Sequence, residues 1–319
     1  MSNDSRPRSP KWIRSAASAA HQVAASTVLT SRLYLGFWRL VAGNLSPHRR
    51  AQLLNSLRAA RWPAEALTAQ SVSLGGQTEI RLLPHNEELD FEAVLSGTLS
   101  HEPEVFRFLD SRLGQYDAVI EIGANVGVFT LYLAKRMQEQ GGSGKIFSFE
   151  PSRKAYARLV QNIELNQANN VLAFNCAIGR RSEIVNFYEP VGHLMNGSLN
   201  AEFAAGFSSQ VKMVPVIVLD AQIILALITR PSRVLIKIDT EGAEAVIILA
   251  LSKIITQLQP DLLVEVLPEF EGAIREAIEK VAPGYESFAI TKEGTCRQAA
   301  ISSHALRDCF LTPSTVKPG

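Results

Sequence analysis

The sequence predicts an α/β protein with a doubly wound, mostly parallel sheet, preceded by a mainly helical N-terminal extension. From Tyr116 onward, short apolar runs rich in β-branched residues alternate with segments of helical periodicity, which is typical of a parallel sheet covered on both faces. Within residues 116–130 a strand, a glycine turn and a helix start follow one another directly. That succession is typical of a nucleotide-binding βα corner.

Composition narrows the class of protein. The chain has 319 residues, of which 46% are hydrophobic and 20% charged, and these are globular values. The net charge of +1 gives no reason to expect a nucleic acid partner. Three cysteines without metal-site spacing favour a reducing, cytoplasmic compartment. No uninterrupted apolar run reaches the roughly 18 residues of a transmembrane helix, so none is expected.

The first 64 residues differ from the rest in charge. Disorder is predicted for about the first ten, and from Trp12 the pattern turns helical, with Leu33, Phe37 and Leu40 on one stripe. The only acid is Asp4. The basic residues are Arg6, Arg8, Lys11, Arg14, Arg32, Arg39, Arg49, Arg50, Arg58 and Arg61.

Three interpretations of this basic segment stay open. It can be a helical cap packed on the catalytic domain with a solvated basic face. It can be an amphipathic anchor that gives peripheral contact with an anionic membrane, or with a polyanionic partner. It also has the Arg- and Ser-rich, acid-poor composition of a transit peptide, which ranks lowest because no cleavage signal is visible.

Residues 65–115 predict a hairpin and a lead-in helix. The hairpin covers 70–84 and turns at Gly75-Gly76, and an acidic loop follows at 87–92. Residues 102–113 carry Val105, Phe106 and Leu109 at helical spacing. Because this helix directly precedes the first core strand, we expect it to cover the sheet edge or the mouth of the cofactor pocket.

The catalytic domain, residues 116–319, is predicted as follows. The strands are 116–122, 145–149, 171–176, 234–238, 262–266, 287–290 and 309–312. The helices are 128–140, one that begins after the N-cap Ser152, 243–258 and 271–281. Extended segments at 183–188 and 211–218 form an excursion joined by a loop at 190–209.

The glycine spacing of the βα corner indicates which nucleotide it binds. A dinucleotide fingerprint requires glycine at its first, third and sixth positions, which here hold Gly123, Asn125 and Val128. The corner therefore suits a smaller, positively charged ligand end beside Glu121, as in S-adenosylmethionine. Glu150, at the end of the second strand, is placed to accept hydrogen bonds from both ribose hydroxyls.

A second group of charges follows the fourth predicted strand. Lys237 and Asp239 alternate about Ile238 and so share one face of the strand end. A buried Lys–Asp pair is costly unless it has a function, and we interpret it as the reacting side of the site. Glu265 lies in an apolar run of the fifth strand and needs a partner, for which Lys237 is the candidate.

The residues after the third strand give a weaker signal. Cys176 and Ala177 could form a small apolar ledge for adenine. A buried structural cysteine explains the same pattern nearly as well.

Taken together, these motifs resemble the FkbM-type family of S-adenosylmethionine-dependent methyltransferases, within the class I Rossmann-like fold. The resemblance spans about residues 100–266. The matching runs are Val-Ile-Glu-Ile-Gly-Ala-Asn-Val-Gly, Phe-Glu-Pro, Asn-Ile-Glu-Leu-Asn, Leu-Ile-Lys-Ile-Asp-Thr-Glu-Gly-Ala-Glu and Pro-Asp-Leu-Leu-Val-Glu. The family often carries Asp where Glu121 stands.

The resemblance implies a seven-stranded sheet with its last strand antiparallel, and methyl transfer, mostly to oxygen, on sugars, glycolipids or secondary metabolites. It implies a reaction side formed by Lys237, Asp239, Glu241 and Glu244. The expected cofactor-binding residues are Glu121, Gly123, Ala124, Asn125, Gly127, Glu150, Cys176 and Ala177.

A hydroxyl acceptor must lose a proton, which requires a base or a metal. Asp239 is the first candidate, directly or as a ligand of a divalent metal together with Glu241. His193 in the excursion loop is the second, and Asn196 and Ser198 are candidates for orienting the acceptor, a small molecule or glycan. The alternatives to an O-methyltransferase are a nicotinamide-dependent oxidoreductase and a non-catalytic cofactor-binding domain that serves in docking.

Overall fold

The computed structural model describes residues 11–75, 78–86, 89–97, 99, 102–228, 233–303 and 307–314. The predicted disorder of the first ten residues, the second glycine of the hairpin turn and part of the acidic loop lie outside these ranges. The chain packs into two compact units, Met1–Val72 with Leu82–Leu99 and Ser73–Arg81 with Ser100–Gly319. The predicted boundaries near residues 64 and 115 stay a prediction.

The first unit is mainly helical, as predicted. Its helices are α1 (Lys11–Ala24), α2 (Val28–Ala42), α3 (Pro47–Arg58) and the short α4 (Ala93–Ser96). Thr27 and Ser46 cap α2 and α3 by accepting hydrogen bonds from backbone N–H groups of the first turn. Buried apolar side chains from all parts of this unit form its core, among them Leu35, Leu57, Trp62, Phe91 and Val94.

A buried histidine connects the three long helices of this unit. The Nδ1 atom of His21 lies 3.0 Å from the Tyr34 hydroxyl and its Nε2 lies 2.7 Å from Ser56 Oγ. Burial lowers the pKa of His21, which favours the neutral imidazole between Tyr34 and Ser56.

The hairpin predicted at 70–84 is confirmed as β1 (Gln70–Leu74) and β2 (Thr78–Leu82). The lead-in helix is α5 (Pro103–Asp110), shorter than the predicted 102–113 because a 3-10 turn at Leu113–Gln115 follows it. α5 packs on α6 (Val128–Glu139): the Phe106 ring stacks on Phe129 at 4.5 Å, and the Tyr132 hydroxyl donates to the Phe106 carbonyl.

The second unit contains the predicted α/β sheet. Its strands are β3 (Ala118–Ile122), β4 (Lys145–Phe149), β5 (Val171–Phe174), β9 (Val234–Ile238), β10 (Asp261–Glu265), β11 (Tyr285–Ile290), β12 (Cys296–Gln298) and β13 (Asp308–Pro313). Their order in the sheet is β12-β11-β13-β10-β9-β3-β4-β5, in which β10, β9, β3, β4 and β5 are parallel.

The strand count is eight where the resemblance implied seven. The additional strand is the short edge strand β12, which pairs antiparallel with β11. The last strand, β13, is antiparallel to both of its neighbours, as expected. Every residue of β3, β9 and β10 is buried, so these three strands form the centre of the core.

The helices predicted from residue 128 onward are present with one difference, and two short helices that were not predicted, at Ala201–Ala205 and Ile223–Leu227, add to them. The segment predicted as one helix at 243–258 is two, interrupted at the buried Leu251. Both halves bury isoleucines in the cluster around the central strands. The helices after α6 are α7 (Arg153–Asn166), α8 (Ala201–Ala205), α9 (Ile223–Leu227), α10 (Glu244–Ala250), α11 (Ser252–Leu258) and α12 (Glu271–Val281).

The predicted excursion forms a separate three-stranded sheet. β7 (Glu183–Pro190) and β8 (Val211–Asp220) pair antiparallel, and β6 (Ala177–Gly179) pairs parallel with β8. The loop between β7 and β8 contains α8, which Asn200 caps. In the described part of the chain, none of the helices combines the length and hydropathy needed to cross a membrane.

Candidate active site

The βα corner after β3 depends on two glycines. Gly123 has φ of +95°, and a Cβ atom there would lie 1.7 Å from the carbonyl oxygen of Asp239. Gly127 has φ of +91°, and a Cβ atom there would lie 2.5 Å from Leu159 Cδ1. Only glycine satisfies both the backbone angle and the contact at these positions. The first of them brings the backbone of the corner against the end of β9.

Glu150 is fastened to the corner through its carboxylate. Its Oε2 accepts a hydrogen bond from the Asn125 backbone N–H at 2.8 Å, and its Oε1 accepts one from Ser152 N–H at 2.7 Å. Burial raises the pKa of Glu150 to about 7, against the opposing effect of these two bonds. Because a carboxylate has about four lone-pair sites, two remain for a ligand diol.

Glu121 lies deeper, under the first turn of α6. Its Oε2 accepts hydrogen bonds from the hydroxyls of Thr130 and Ser148, which come from α6 and β4. Burial raises the pKa of Glu121, although Lys237 on the adjacent strand and both hydroxyls favour the charged form. The side chain is therefore held in place on several sides.

Lys237 and Asp239 form the ion pair that their alternation predicted. Lys237 Nζ lies 2.6 Å from Asp239 Oδ2 and 4.2 Å from the centre of the Phe129 ring. Burial alone would lower the pKa of Lys237, but Asp239, followed by Glu102, Asp308 and Glu121, raises it above its ordinary value. The lysine is thus a permanent cation and a hydrogen-bond donor.

Glu244 has a structural function at the turn after β9. Its carboxylate accepts hydrogen bonds from the backbone N–H groups of Thr240 and Gly242 and from the Thr240 hydroxyl. It is fully buried at the start of α10. We therefore assign it to holding the turn, whereas the resemblance implied that it lines the reaction side.

The excursion loop contacts this same turn. Ser198 Oγ donates to the Glu241 carbonyl oxygen at 2.7 Å, and Asn196 Nδ2 lies 3.4 Å from Glu241 Oε1. Glu241 has φ of +56°, and burial, followed by Asp239 and Glu244, raises its pKa to about 8. Both residues predicted to orient the acceptor, Asn196 and Ser198, thus contact the turn at the strand end.

His193 is placed differently from these neighbours. Its side chain is exposed, and its ring lies 6.4 Å from the ring of Phe207. The contacts of the loop with the turn after β9 come from Asn196 and Ser198. The assignment of His193 as a base stays a prediction.

The predicted partner of Glu265 is wrong. Lys237 bonds to Asp239, and the basic group beside Glu265 is the exposed guanidinium of Arg307, at 3.7 Å from Oε1. Glu265 Oε2 is buried without a hydrogen-bond partner, and Asp308 lies opposite Glu265 on β13. Burial, followed by Asp239, Glu241 and Asp308, raises the pKa of Glu265 to about 10, so it is protonated at neutral pH.

Cys176 is buried in the apolar cluster around the central strands, where burial raises the pKa of its thiol to about 11. This position agrees with the structural interpretation of the cysteine. Ala177 begins β6 and is buried in the same region. The adenine ledge stays a prediction.

The corner fits the adenosyl and methionyl parts of S-adenosylmethionine. Asn125, in the left-handed region at φ of +49°, has a buried Oδ1 atom without a hydrogen-bond partner in the structure. A ligand donor would satisfy it. Glu150, whose carboxylate accepts from the Asn125 backbone, has acceptor sites left for a ligand. Within the described ranges, no group of three or more His, Cys, Asp or Glu side chains is arranged to hold a metal ion.

Comparison with known proteins places this geometry in a family. Residues 121–286, more than half of the chain, match the model of the methyltransferase FkbM domain. The chain belongs to the FkbM methyltransferase family. The match begins at Glu121 and includes Glu150, Lys237, Asp239 and Glu265, so the site described above lies within the FkbM domain.

Individual relatives are distant. Methyltransferase 1 of Beauveria bassiana (strain ARSEF 2860) is 31% identical over 62 residues, which are 19% of this FkbM chain and 23% of that protein. The crystal structure of methyltransferase FkbM from Methylobacillus flagellatus KT has 15% identity and a TM-score of 0.40, over 62% of this chain and 44% of that one. A SAM-dependent O-methyltransferase from Thermotoga maritima has 12% identity and a TM-score of 0.37, over 68% and 67%.

The chain thus spans less than a quarter of the curated relative and less than half of the FkbM crystal structure. At these TM-scores the solved structures add nothing to the family match.

Several residues of the FkbM site were not predicted from the sequence. Thr130 and Ser148 hold Glu121, Phe129 faces Lys237, and Asn175 donates to the carbonyl oxygens of Glu150 and Pro151. Phe129 and Thr130 lie in the βα corner. Thr130 is a polar residue on the inner face of an apolar helix, and that pattern could have indicated a buried polar partner. The position of Asn175 carried no such signal because β5 ends one residue before it.

Proposed function

We propose that this FkbM-family chain transfers the methyl group of S-adenosylmethionine to a hydroxyl of a small-molecule or glycan acceptor, with Asp239 as the base. The observation that carries the proposal is the meeting of two features at one sheet edge. The Gly123 backbone abuts the carbonyl of Asp239, whose carboxylate is bonded to the buried Lys237. A cofactor corner and a charged pair suited to proton transfer are therefore in direct contact.

Different residues of the corner would bind different parts of the methyl donor. Glu150 would accept the ribose hydroxyls with the lone pairs that Asn125 and Ser152 leave open. Glu121 would face the positively charged methionyl end, and Asn125 Oδ1 would accept a ligand N–H or O–H. When bound, the donor supplies an electrophilic methyl group on a sulfonium.

For the acceptor, Asp239 would take the proton of the hydroxyl as the oxygen attacks. Asp239 is about one-quarter exposed, so it is open to a substrate while bonded to Lys237. The lysine keeps its proton, and it would stabilise the carboxylate and orient the attacking oxygen as a donor. Because methyl transfer is an in-line displacement, placement of the two reactants supplies much of the acceleration.

The neighbouring carboxyl groups suit an acceptor with several hydroxyls. Glu241, with its pKa at about 8, and Glu265, protonated at neutral pH, can each donate as well as accept a hydrogen bond. Asn196 and Ser198 bring the excursion loop to this side. A sugar ring, a glycolipid head group or a polyhydroxylated secondary metabolite has matching donors and acceptors, and we propose this class as substrate.

Two measurements test the proposal. Calorimetry should detect S-adenosylhomocysteine and not NAD, since the corner lacks the glycines of a dinucleotide site; binding of NAD alone would overturn the assignment. Labelled methyl donor incubated with a host small-molecule extract should then yield a labelled acceptor, and a chelator control would show whether a metal assists.

The base is tested by Asp239→Ala and Asp239→Asn. Both should keep S-adenosylhomocysteine binding and lose transfer by about 10²-fold or more, the usual contribution of a general base. Transfer at the wild-type rate by Asp239→Asn would remove Asp239 from the mechanism. Glu241→Gln then becomes the informative variant, since burial, followed by Asp239, raises the pKa of Glu241 to about 8.

A further inference from the structure

Helix α2 of the first unit is apolar on two opposite faces. Its inner face buries Ser31, Leu35 and Ala42. Its outer face carries large apolar side chains with high exposed fractions, which we call the outer stripe: Leu29 at 69%, Leu33 at 67%, Phe37 at 56% and Leu40 at 80%. A helix that is apolar all round is normally buried on all sides, so the outer stripe needs an occupant.

The spacing of the outer stripe makes it one continuous surface. Its members are four, four and three residues apart, so they stand one above another along a helix with 3.6 residues per turn. Gly36 lies in the same row, with open space where its side chain would be. Val23 of α1 is also 72% exposed. Contiguous exposed apolar side chains of this kind mark an interaction surface.

Positive charge borders the outer stripe on one side. Arg32 and Arg39 are both exposed, and their guanidinium groups donate to the backbone carbonyl oxygens of Glu65 and Val94. These bonds fix the two side chains beside the helix without neutralising them. Residues 11–64 contain eight Lys or Arg and neither Asp nor Glu. The outer stripe therefore lies in a basic segment and has two exposed arginines beside it.

We propose that the outer stripe of α2 docks this chain on an anionic phospholipid bilayer. The apolar side chains would enter the boundary between head groups and acyl chains, and the arginines would contact the lipid phosphates. At 15 residues α2 is shorter than the roughly 20 residues that span a bilayer, so the helix would lie in the plane of the surface.

A second copy of the chain fits this surface less well. Pairing two outer stripes would place Arg32 and Arg39 of one copy beside those of the other, and residues 11–64 supply no acid to separate them. Like charges along a helix pair oppose association, whereas the same charges favour an anionic lipid surface. Charge complementarity thus selects the bilayer.

The test is co-sedimentation of the full chain with vesicles of phosphatidylcholine, with and without phosphatidylglycerol. Wild type should sediment with the phosphatidylglycerol vesicles, and added salt should weaken binding. Leu33→Glu/Phe37→Glu should weaken binding by at least about tenfold, since it removes two inserted side chains and adds repulsion. Arg32→Gln should reduce the preference for phosphatidylglycerol.

The matched control is Ile184→Glu/Met213→Glu, which adds the same two charges at exposed apolar positions of β7 and β8. It should sediment as wild type does. Circular dichroism and S-adenosylhomocysteine binding should be unchanged in both double variants, which shows that they are folded.

Three outcomes would overturn the proposal. One is failure of wild type to bind phosphatidylglycerol vesicles. Another is wild-type binding by Leu33→Glu/Phe37→Glu, which would leave only nonspecific charge attraction. The third is a wild-type dimer in sedimentation velocity that this double variant converts to a monomer, because the outer stripe would then bind a second copy.

Discussion

The Lys237 ammonium lies 2.6 Å from the Asp239 carboxylate and 4.2 Å from the centre of the Phe129 ring. The lysine side chain is almost fully buried, while the aspartate is about one-quarter exposed. One partner is therefore fixed inside the protein and the other faces the solvent side of the site. This asymmetry is what a carboxylate base with a permanent cationic support requires.

Lys237→Met should abolish this support while filling similar volume. Transfer should fall by about 10²-fold or more, since the attacking oxygen loses its donor and Asp239 its counter-charge. The free energy of unfolding should fall by about 1–3 kcal/mol, because Asp239 can still be hydrated. Steady-state kinetics and urea unfolding measure the two effects. Lys253→Met, on the exposed face of α11, is the control and should change neither.

Gly123→Ala should destabilise the second unit. The added Cβ would meet the Asp239 carbonyl oxygen at 1.7 Å, in a backbone conformation at φ of +95°. We expect a loss of at least about 2–4 kcal/mol in the free energy of unfolding. Gly272→Ala is the matched control, since its Cβ would enter open space in α12. That variant should be neutral or more stable by up to about 1 kcal/mol. Equal stability of the two variants would contradict the close contact.

Glu150→Gln should remove a pH dependence of donor binding. The pKa of Glu150 is raised to about 7, so its ionised form, which under our proposal would accept from both ribose hydroxyls, is gained as the pH rises through neutrality. Wild-type affinity for S-adenosylhomocysteine should therefore increase between about pH 6 and pH 8. The glutamine variant should bind about tenfold or more weakly at pH 8, without this increase. Calorimetry at several pH values measures both, and an unchanged profile in the variant would exclude Glu150.

Glu265→Gln should flatten the dependence of stability on pH. The pKa of Glu265 is raised to about 10 in the folded chain, so the folded state retains a proton that the unfolded state releases above its ordinary pKa. The stability from this proton is fully present below about pH 4 and is lost as the pH rises toward 10, by up to about 1.4 kcal/mol per pH unit. Glutamine imitates the protonated carboxyl and has no such slope.

The measurement for Glu265→Gln is urea unfolding at intervals from pH 6 to pH 9. The variant should gain stability relative to wild type as the pH rises. Glu286→Gln, on β11, has a partly exposed carboxyl and serves as the control. A constant difference between Glu265→Gln and wild type over this range would show that Glu265 is ionised in the folded state.

Most of the second unit was predictable because its signals are local. Apolar β-branched runs mark strands, glycine marks the corner, and Ser152 marks the start of α7, whose cap the structure confirms. The parallel sheet rule then brings the ends of β3, β4 and β9 to one edge. For this reason the sequence alone predicts one site that contains Glu121, Glu150, Lys237 and Asp239.

The partner of Glu265 could not be predicted in the same way. Its neighbours are Asp308, the first residue of β13, and Arg307 just before it, and β13 returns antiparallel beside β10 after α12 and β11. No local periodicity encodes the place of a returning strand in a sheet. The additional edge strand β12 was not predicted because a strand of three residues is too short to show an alternating pattern.

The sequence by itself determined the order of the elements, the glycine corner, the side chains that meet at the sheet edge and the charge of the first 64 residues. Only the tertiary structure decided which of those side chains bond to one another, that Glu244 holds a turn, and that the outer stripe of α2 faces away from its core. The physical reason is the separation along the chain over which each effect acts. Periodicity and turn chemistry act over a few residues, whereas hydrogen bonds, ion pairs and burial depend on neighbours that are distant in the chain.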